Sequence, residues 1–147
     1  MILSAQTIRR KIKIAPWSEQ AVFNGLSYGL GAAGYDIRVA ESVHLRASTG
    51  WALASAMEHI VMPSDVVAMV HDKSTWARRG LAVQTTTVEP GWQGFLTLEL
   101  SNHGPTDLMI TAGTPIAKLV FHLLDQPTEQ PYVGKYQDQG PGPQPAR

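Results

Sequence analysis

The sequence predicts a mainly β fold, an antiparallel barrel or jelly roll with an N-terminal helix and one short internal helix. Three observations carry that expectation. Short runs of alternating apolar and polar residues recur between Gly-, Pro-, Asn- and Asp-containing breaks, residues 74–79 alone interrupt the strand pattern with a helical turn, and no strand–helix–strand alternation is present. With 147 residues and 44% hydrophobic content, the chain can bury one proper core. The expected layout is a β domain over residues 1–125 and an extended C-terminal arm over residues 126–147.

Ser4 suits the N-cap of a helix running to about Lys13, with Ile8 and Ile12 four apart on one face, before Pro16 stops it. Residues 25–34 carry too much glycine for a regular element and read as a mobile or tightly turned loop feeding a strand at Tyr35–Val39. As a phosphate loop this stretch is weak, because it lacks the Lys-Ser/Thr ending and the following helix of a P-loop. From Trp51 to His71 the pattern gives two or three short strands around a Pro63-Ser64-Asp65 turn. Ser74 can cap a single helical turn that Gly80 ends, which sets Arg78 on the same side as Ser74. Strands resume at Leu81–Thr86, Gly94–Ser101, Leu108–Ile110 and Ile116–Leu124.

Within the strand after Pro90-Gly91, Leu96, Leu98 and Leu100 share one face, while Phe95, Thr97 and Glu99 share the other. A glutamate so placed is ordinarily solvated on the outer face of a half-buried strand. Lys73, Ser74 and Thr75 offer backbone N–H groups, two hydroxyls and a cation in one place, which suits a phosphate, although Ser/Thr caps are common and Arg78 equally suits a structural ion pair. Beyond Leu124 the Gln-, Pro- and Gly-rich composition cannot fold on its own. Tyr132, Lys135 and Tyr136 inside it suit an arm on a neighbouring subunit, a ligand-covering segment, or both.

Twelve basic and twelve acidic side chains cancel, which argues against a general affinity for nucleic acid or anionic membranes. A polyanionic ligand would have to be held by a local cluster. There are no cysteines, so disulfides and thiolate zinc sites are excluded, including the Cys-x-x-Cys half of a zinc nucleobase deaminase site. His44, His59, His71, His103 and His122 show no His-x-Glu pairing or metal-ligand spacing, so no zinc and no other protein-held metal is expected. The N-terminus has no long apolar core of a signal peptide, and no run approaches the ~18 apolar residues of a membrane span. A soluble, cytoplasmic protein is the expectation.

The wording PGWxGxxTLELxN from Pro90 to Asn102, with Lys73-Ser74-Thr75-Trp76-Ala77-Arg78-Arg79-Gly80-Leu81 before it, resembles the dCTP deaminase family of the dUTPase-like superfamily. The likeness extends to Met1-Ile2-Leu3-Ser4, Gly34-Tyr35-Asp36-Ile37-Arg38, Gly113-Thr114-Pro115-Ile116-Ala117, and Lys135-Tyr136 with Gln139. It implies a dUTPase-like β fold and hydrolytic deamination of dCTP to dUTP and ammonia. By position it implies Glu99, Ser74 and Arg78 as catalytic residues, with Lys73 and Thr75 on the triphosphate and active site. Glu89 and Thr97 would flank base and sugar, and Tyr132, Lys135 and Gln139 would close over the nucleotide. It further implies a homotrimer with sites between subunits, and Mg²⁺ carried by the triphosphate. Arg78 beside Glu99 would favour the ionised carboxylate and hold its pKa down.

The sequence departs from the family pattern at three places. Lys73 stands where arginine is common, keeping charge without bidentate contact. The connection from Gly80 to Pro90, which supplies backbone contacts to the base, is two residues shorter than in typical bacterial deaminases. Glu89 replaces the usual aspartate before Pro-Gly. The shorter hairpin and Glu89 leave a dUTP pyrophosphatase, alone or combined with deamination, as the second reading. The third is a non-catalytic trimer that binds a deoxynucleotide such as dTTP or a protein partner.

Overall fold

A computed structural model describes residues 1–147. Ile8 and Ile12 are both buried, so the apolar stripe read from the sequence is what docks helix α1 (Ala5–Lys11). Ser4 is its N-cap, yet the hydroxyl makes no capping bond and lies 3.3 Å from Thr7 Oγ1. The strands that follow are β1 (Lys13–Ala15), β2 (Ala21–Phe23), β3 (Leu26–Gly31), β4 (Gly34–Arg38), β5 (Val43–Leu45), β6 (Trp51–Val61) and β7 (Val66–Asp72). A single-turn helix α2 (Ser74–Ala77) precedes β8 (Leu81–Val83), β9 (Thr87–Val88), β10 (Gln93–Asn102), β11 (Leu108–Ile110) and β12 (Pro115–Leu123). No helix is long and apolar enough to cross a membrane.

The glycine-rich stretch corrects the expected loop: residues 26–31 form β3, which turns tightly and pairs antiparallel with β4, Gly31 opposite Gly34. Glycine is needed there for clearance, since a Cβ at Gly34 would lie 2.7 Å from the Leu119 carbonyl oxygen on the neighbouring strand. From Trp51 to His71 there are two strands around the Pro63-Ser64-Asp65 turn, as expected, the first of them longer than foreseen at eleven residues. Its ladder with β10 shifts register between Phe95 and Thr97, where residues 56–58 of β6 span the step that Leu96 takes alone, and pairing resumes at Thr97 opposite Ser55. Lys73, not Ser74, is the N-cap of α2, and it makes no side-chain cap bond.

The strands form a six-stranded sheet in the order β2-β3-β4-β12-β7-β9, a four-stranded sheet β1-β6-β10-β8 and a two-stranded β11-β5 pair. All named ladders are antiparallel. They do not close into a barrel. The larger sheets pack face to face around a core that includes Tyr35, Ile37, Leu98, Leu100, Leu119 and Phe121. Leu96, Leu98 and Leu100 point into it as their alternation requires, each contributing about 1.5–3 kcal/mol of burial. Two side chains tie the loops to this frame. Trp76 Nε1 donates to the Pro115 carbonyl at 2.9 Å, anchoring α2, and buried Asn102 donates to the Leu45, Arg46 and Thr106 carbonyls at 3.2, 3.0 and 2.9 Å.

Candidate active site

With the leucines of β10 facing the core, Thr97 and Glu99 face a cleft of about 520 Å³, within the size range of small-molecule sites. Across the ladder Glu99 stands opposite Leu53, and Ser101 opposite Trp51, so β6 supplies an apolar wall. The 80–90 connection and the turn after it bring Thr86, Thr87, Glu89 and Trp92. Tyr132, Tyr136, Gln139, Gln144 and Ala146 close the other side.

Glu99 is the group the fold leaves least satisfied. Its Oε2 is buried and has no hydrogen-bond partner. Burial pushes its pKa above the usual carboxylate range, opposed only by a hydrogen bond from its own backbone N–H. The expectation that Arg78 holds this pKa down is corrected within the single chain: Arg78 is exposed, and no cation acts on Glu99. The reason is topological. Arg78 follows α2 and lines a separate groove of about 700 Å³ with Gly104–Met109.

The segment after residue 130 is laid along β10 by main-chain and glutamine contacts. Tyr132 N–H donates to the Pro90 carbonyl at 2.8 Å, Asp138 N–H to the Gln93 carbonyl at 3.0 Å, and Phe95 N–H to the Gln139 carbonyl at 2.9 Å. Trp92 Nε1 donates to the Tyr136 carbonyl at 2.8 Å. Gln137 accepts from Gln93 N–H and donates to the Gly91 carbonyl, both at 2.9 Å. Gln139 donates to the Phe95 carbonyl at 2.9 Å and to Thr97 Oγ1 at 2.7 Å. The Gln139 backbone also bridges Gly94 in parallel. Gly94 has φ +146, and a Cβ there would lie 2.7 Å from Gln139 N, so the glycine makes the close approach of this strap sterically open.

Of the residues singled out in the sequence, Glu89, Thr97, Glu99, Tyr132 and Gln139 meet in the cleft. Lys73, Ser74, Thr75 and Arg78 do not line it in the same chain. Lys73 is instead held by Asp36 at 2.7 Å. Lys135 is exposed, lies 5.1 Å from the Tyr136 ring centroid and donates to the Arg147 carbonyl. Trp51, Leu53, Thr86 and Trp92 were missed as lining residues, and Tyr136, singled out only as part of the arm, joins them. For Trp51 and Leu53 the signal was available only as alternation on a strand whose partner is distant in sequence. No group of three or more His, Asp or Glu side chains is arranged to hold a metal ion.

The strand order and sheet packing define a dUTPase-like fold. The dUTPase of Staphylococcus bacteriophage 80alpha, solved with dUpNHpp, superimposes with a TM-score of 0.63 at 17% identity, covering 84% of this chain and 97% of that one. A dUTPase from phage phi11 of S. aureus, described with a structural Mg(II) ion, gives 0.63 at 18% identity over 86% of this chain and 99% of that one. Sequence similarity is narrower in what it selects: the family described as dCTP deaminase-like matches residues 48–124. A dCTP deaminase of Campylobacter fetus is 35% identical over 86% of this chain and 85% of the relative. The chain belongs to the dCTP deaminase family.

Proposed function

We propose that the protein hydrolyses the 4-amino group of dCTP, giving dUTP and ammonia, with Glu99 as the proton shuttle. The observation that carries this reading is the Glu99 carboxyl itself: a buried, unpartnered oxygen facing a nucleotide-sized cleft with aromatic walls. Water attacks C4 of the cytosine, and Glu99 takes the water's first proton and delivers it to N3, where the product keeps it. Glu99 then takes the second proton from the new C4 hydroxyl and passes it to the amine, so that C4=O forms as the C–N bond breaks and ammonia leaves. Burial that raises the pKa of Glu99 makes it a stronger base once ionised and a competent acid afterwards. A positioned acid/base of this kind contributes typically 10²–10⁴-fold.

In this reading Glu89 and Thr97 flank base and sugar, while Tyr132, Gln139 and Lys135 belong to an arm, residues 126–147, that covers the nucleotide. Lys73, Ser74, Thr75 and Arg78 are supplied to the Glu99 cleft by a neighbouring subunit of a homotrimer. What supports this is their separation from Glu99 within one chain. Ser74 then holds the attacking water, and Arg78 meets the ionised Glu99 only in the assembly. Mg²⁺ arrives with the triphosphate as part of the substrate.

One observation favours a second reading: Glu89 lines the same cleft, where a pyrophosphatase acting on dUTP would need its water-activating carboxylate. The two separate by assaying both substrates. Glu99→Gln keeps shape but cannot take the water's proton, so ammonia release from dCTP should fall by about 10²-fold or more with nucleotide binding retained. Wild-type protein that releases pyrophosphate from dUTP and no ammonia from dCTP would overturn the deaminase reading.

A further inference from the structure

A row of side chains crosses the six-stranded sheet. Cross-strand pairing sets Gly29 opposite Asp36, Asp36 opposite Lys118, and Lys118 opposite His71, so these residues share one face. Lys73 is two residues beyond His71 and in extended conformation, which returns its side chain to that face. Its Nζ sits 2.7 Å from Asp36 Oδ2, and Lys118 Nζ sits 3.6 Å from Oδ1. Oδ1 is buried and has no hydrogen-bond partner. The glycines of the β3–β4 turn leave the lane in which Lys118 lies: a Cβ at Gly34 would stand 3.3 Å from its Cγ and Cδ, and one at Gly31 3.5 Å from its Nζ.

The two lysines differ in freedom. The Lys73 side chain is 11% exposed and hydrogen-bonded, whereas that of Lys118 is 39% exposed and just outside hydrogen-bond range. A buried carboxylate needs one counter-ion, and abandoning it uncompensated is strongly unfavourable. Asp36 has two within reach. Lys73 is also the cation that the family resemblance assigns to the triphosphate, and it cannot serve both partners at once.

We propose that Lys118 is a positioning residue for triphosphate binding: it closes onto Asp36 Oδ1 as the nucleotide arrives and so releases Lys73 from Oδ2 to the phosphates. The inference rests on the triphosphate reading above. Lys118 acts through Lys73 and touches no reacting atom. The glycine-rich stretch thereby acquires a role that is not that of a phosphate cradle. It keeps the approach of Lys118 to Asp36 unobstructed.

The test is equilibrium binding of dCTP together with steady-state ammonia release. In Lys118→Met, Lys73 has no substitute on Asp36, so affinity should weaken about tenfold while kcat stays within about twofold, and Lys118→Arg should restore affinity. The discriminating variant adds Asp36→Asn to Lys118→Met. Removing the charge that detains Lys73 should return affinity to near the wild-type value. A loss that persists in the double variant, as direct phosphate contact or a purely structural role requires, overturns the proposal, as does unchanged affinity in Lys118→Met. A second measurement needs no variant: a crystal structure of the wild type with dCTP should show Lys118 on Asp36 and Lys73 off it. The Lys73–Asp36 pair intact in that complex overturns the proposal. Wild type that binds dCTP without releasing ammonia defeats the deaminase reading alone, and wild type that binds no triphosphate defeats both.

Discussion

At the scale of single residues, two glutamates show how burial sets chemistry. Glu99 has its pKa raised by desolvation with no cation to offset it. The folded state therefore holds the proton more tightly than the unfolded chain. The stability penalty is fully present above the folded pKa and disappears as pH falls through it toward the unfolded value. In dissociated subunits, where no neighbour's Arg78 reaches Glu99, Glu99→Gln should accordingly raise Tm at about pH 8 and give no gain near about pH 3, where the wild-type group is protonated in both states. Thermal melts across pH check this; a Glu99→Gln gain that grows on acidification would contradict the assignment.

Glu58 is the opposite case, a fully buried carboxylate that is paired. The Arg38 backbone N–H and Nε reach its two oxygens at 3.0 and 2.7 Å. Desolvation still raises its pKa, with Arg38 pulling against it. Arg38→Met leaves that carboxylate with the backbone N–H but without its counter-ion and should cost about 3–5 kcal/mol in urea unfolding, most of it recovered when Glu58→Gln is added. A cost under about 1 kcal/mol would mean that the pair is not what holds β4 to β6. Such pairings are where sequence reading stops. The alternation along β10 made the outward face of Glu99 legible, but Arg38–Glu58 and Asp36–Lys118 join residues far apart in the chain. Lys118, a lone cation in an apolar strand, has no sequence signal that tells a solvated lysine from a paired one.

At the scale of elements, β10, α2 and β11 were legible because period and punctuation agree there. The errors came where local composition and tertiary context conflict. Residues 26–31 look like a loop by glycine content, yet they form a strand, with Gly29 fitting where a Cβ would collide with the Glu19 carbonyl oxygen and stand 2.8 Å from that of Ser18. The strap offered no periodicity at all, and its partners are main-chain groups around the Pro90–Phe95 turn. Its docking instead left a trace in the strand it docks on: Gly91 and Gly94 are both small where the strap comes close. Gly94→Ala should therefore dislodge residues 137–139, raising the nucleotide KM several-fold and speeding tryptic cleavage after Lys135. The core should lose only roughly 1–2 kcal/mol, the cost of a Cβ at positive φ. Limited proteolysis and a melting curve on one sample separate the two effects, and unchanged cleavage would show that the strap does not depend on this glycine.

At the scale of the whole molecule, the cleft with Glu99 and the groove with Arg78 lie on different parts of one chain, and the proposed function makes them two half-sites. Rotational symmetry can bring unlike patches together around a closed ring. Sedimentation should give about three times the chain mass of 16.0 kDa. A sharper check mixes two inactive variants, Glu99→Gln and Arg78→Ala, after dissociation and reassembly. With shared sites, random mixing restores roughly one site in four, whereas sites confined to single chains recover nothing.

The fastening of the strap carries a consequence for how the molecule responds to its medium. Its bonds run through glutamine amides, an indole N–H, a threonine hydroxyl and main-chain groups, with Asp138 as the one ionised partner. Neutral contacts of this kind are nearly indifferent to ionic strength, whereas a triphosphate held by lysine and arginine is screened progressively as salt rises. Raising the salt from a dilute buffer to about 1 M thus separates two properties that rise and fall together in dilute solution. In the proposed complex, the cover stays buttoned down over the cleft while the grip on the nucleotide's charged end slackens.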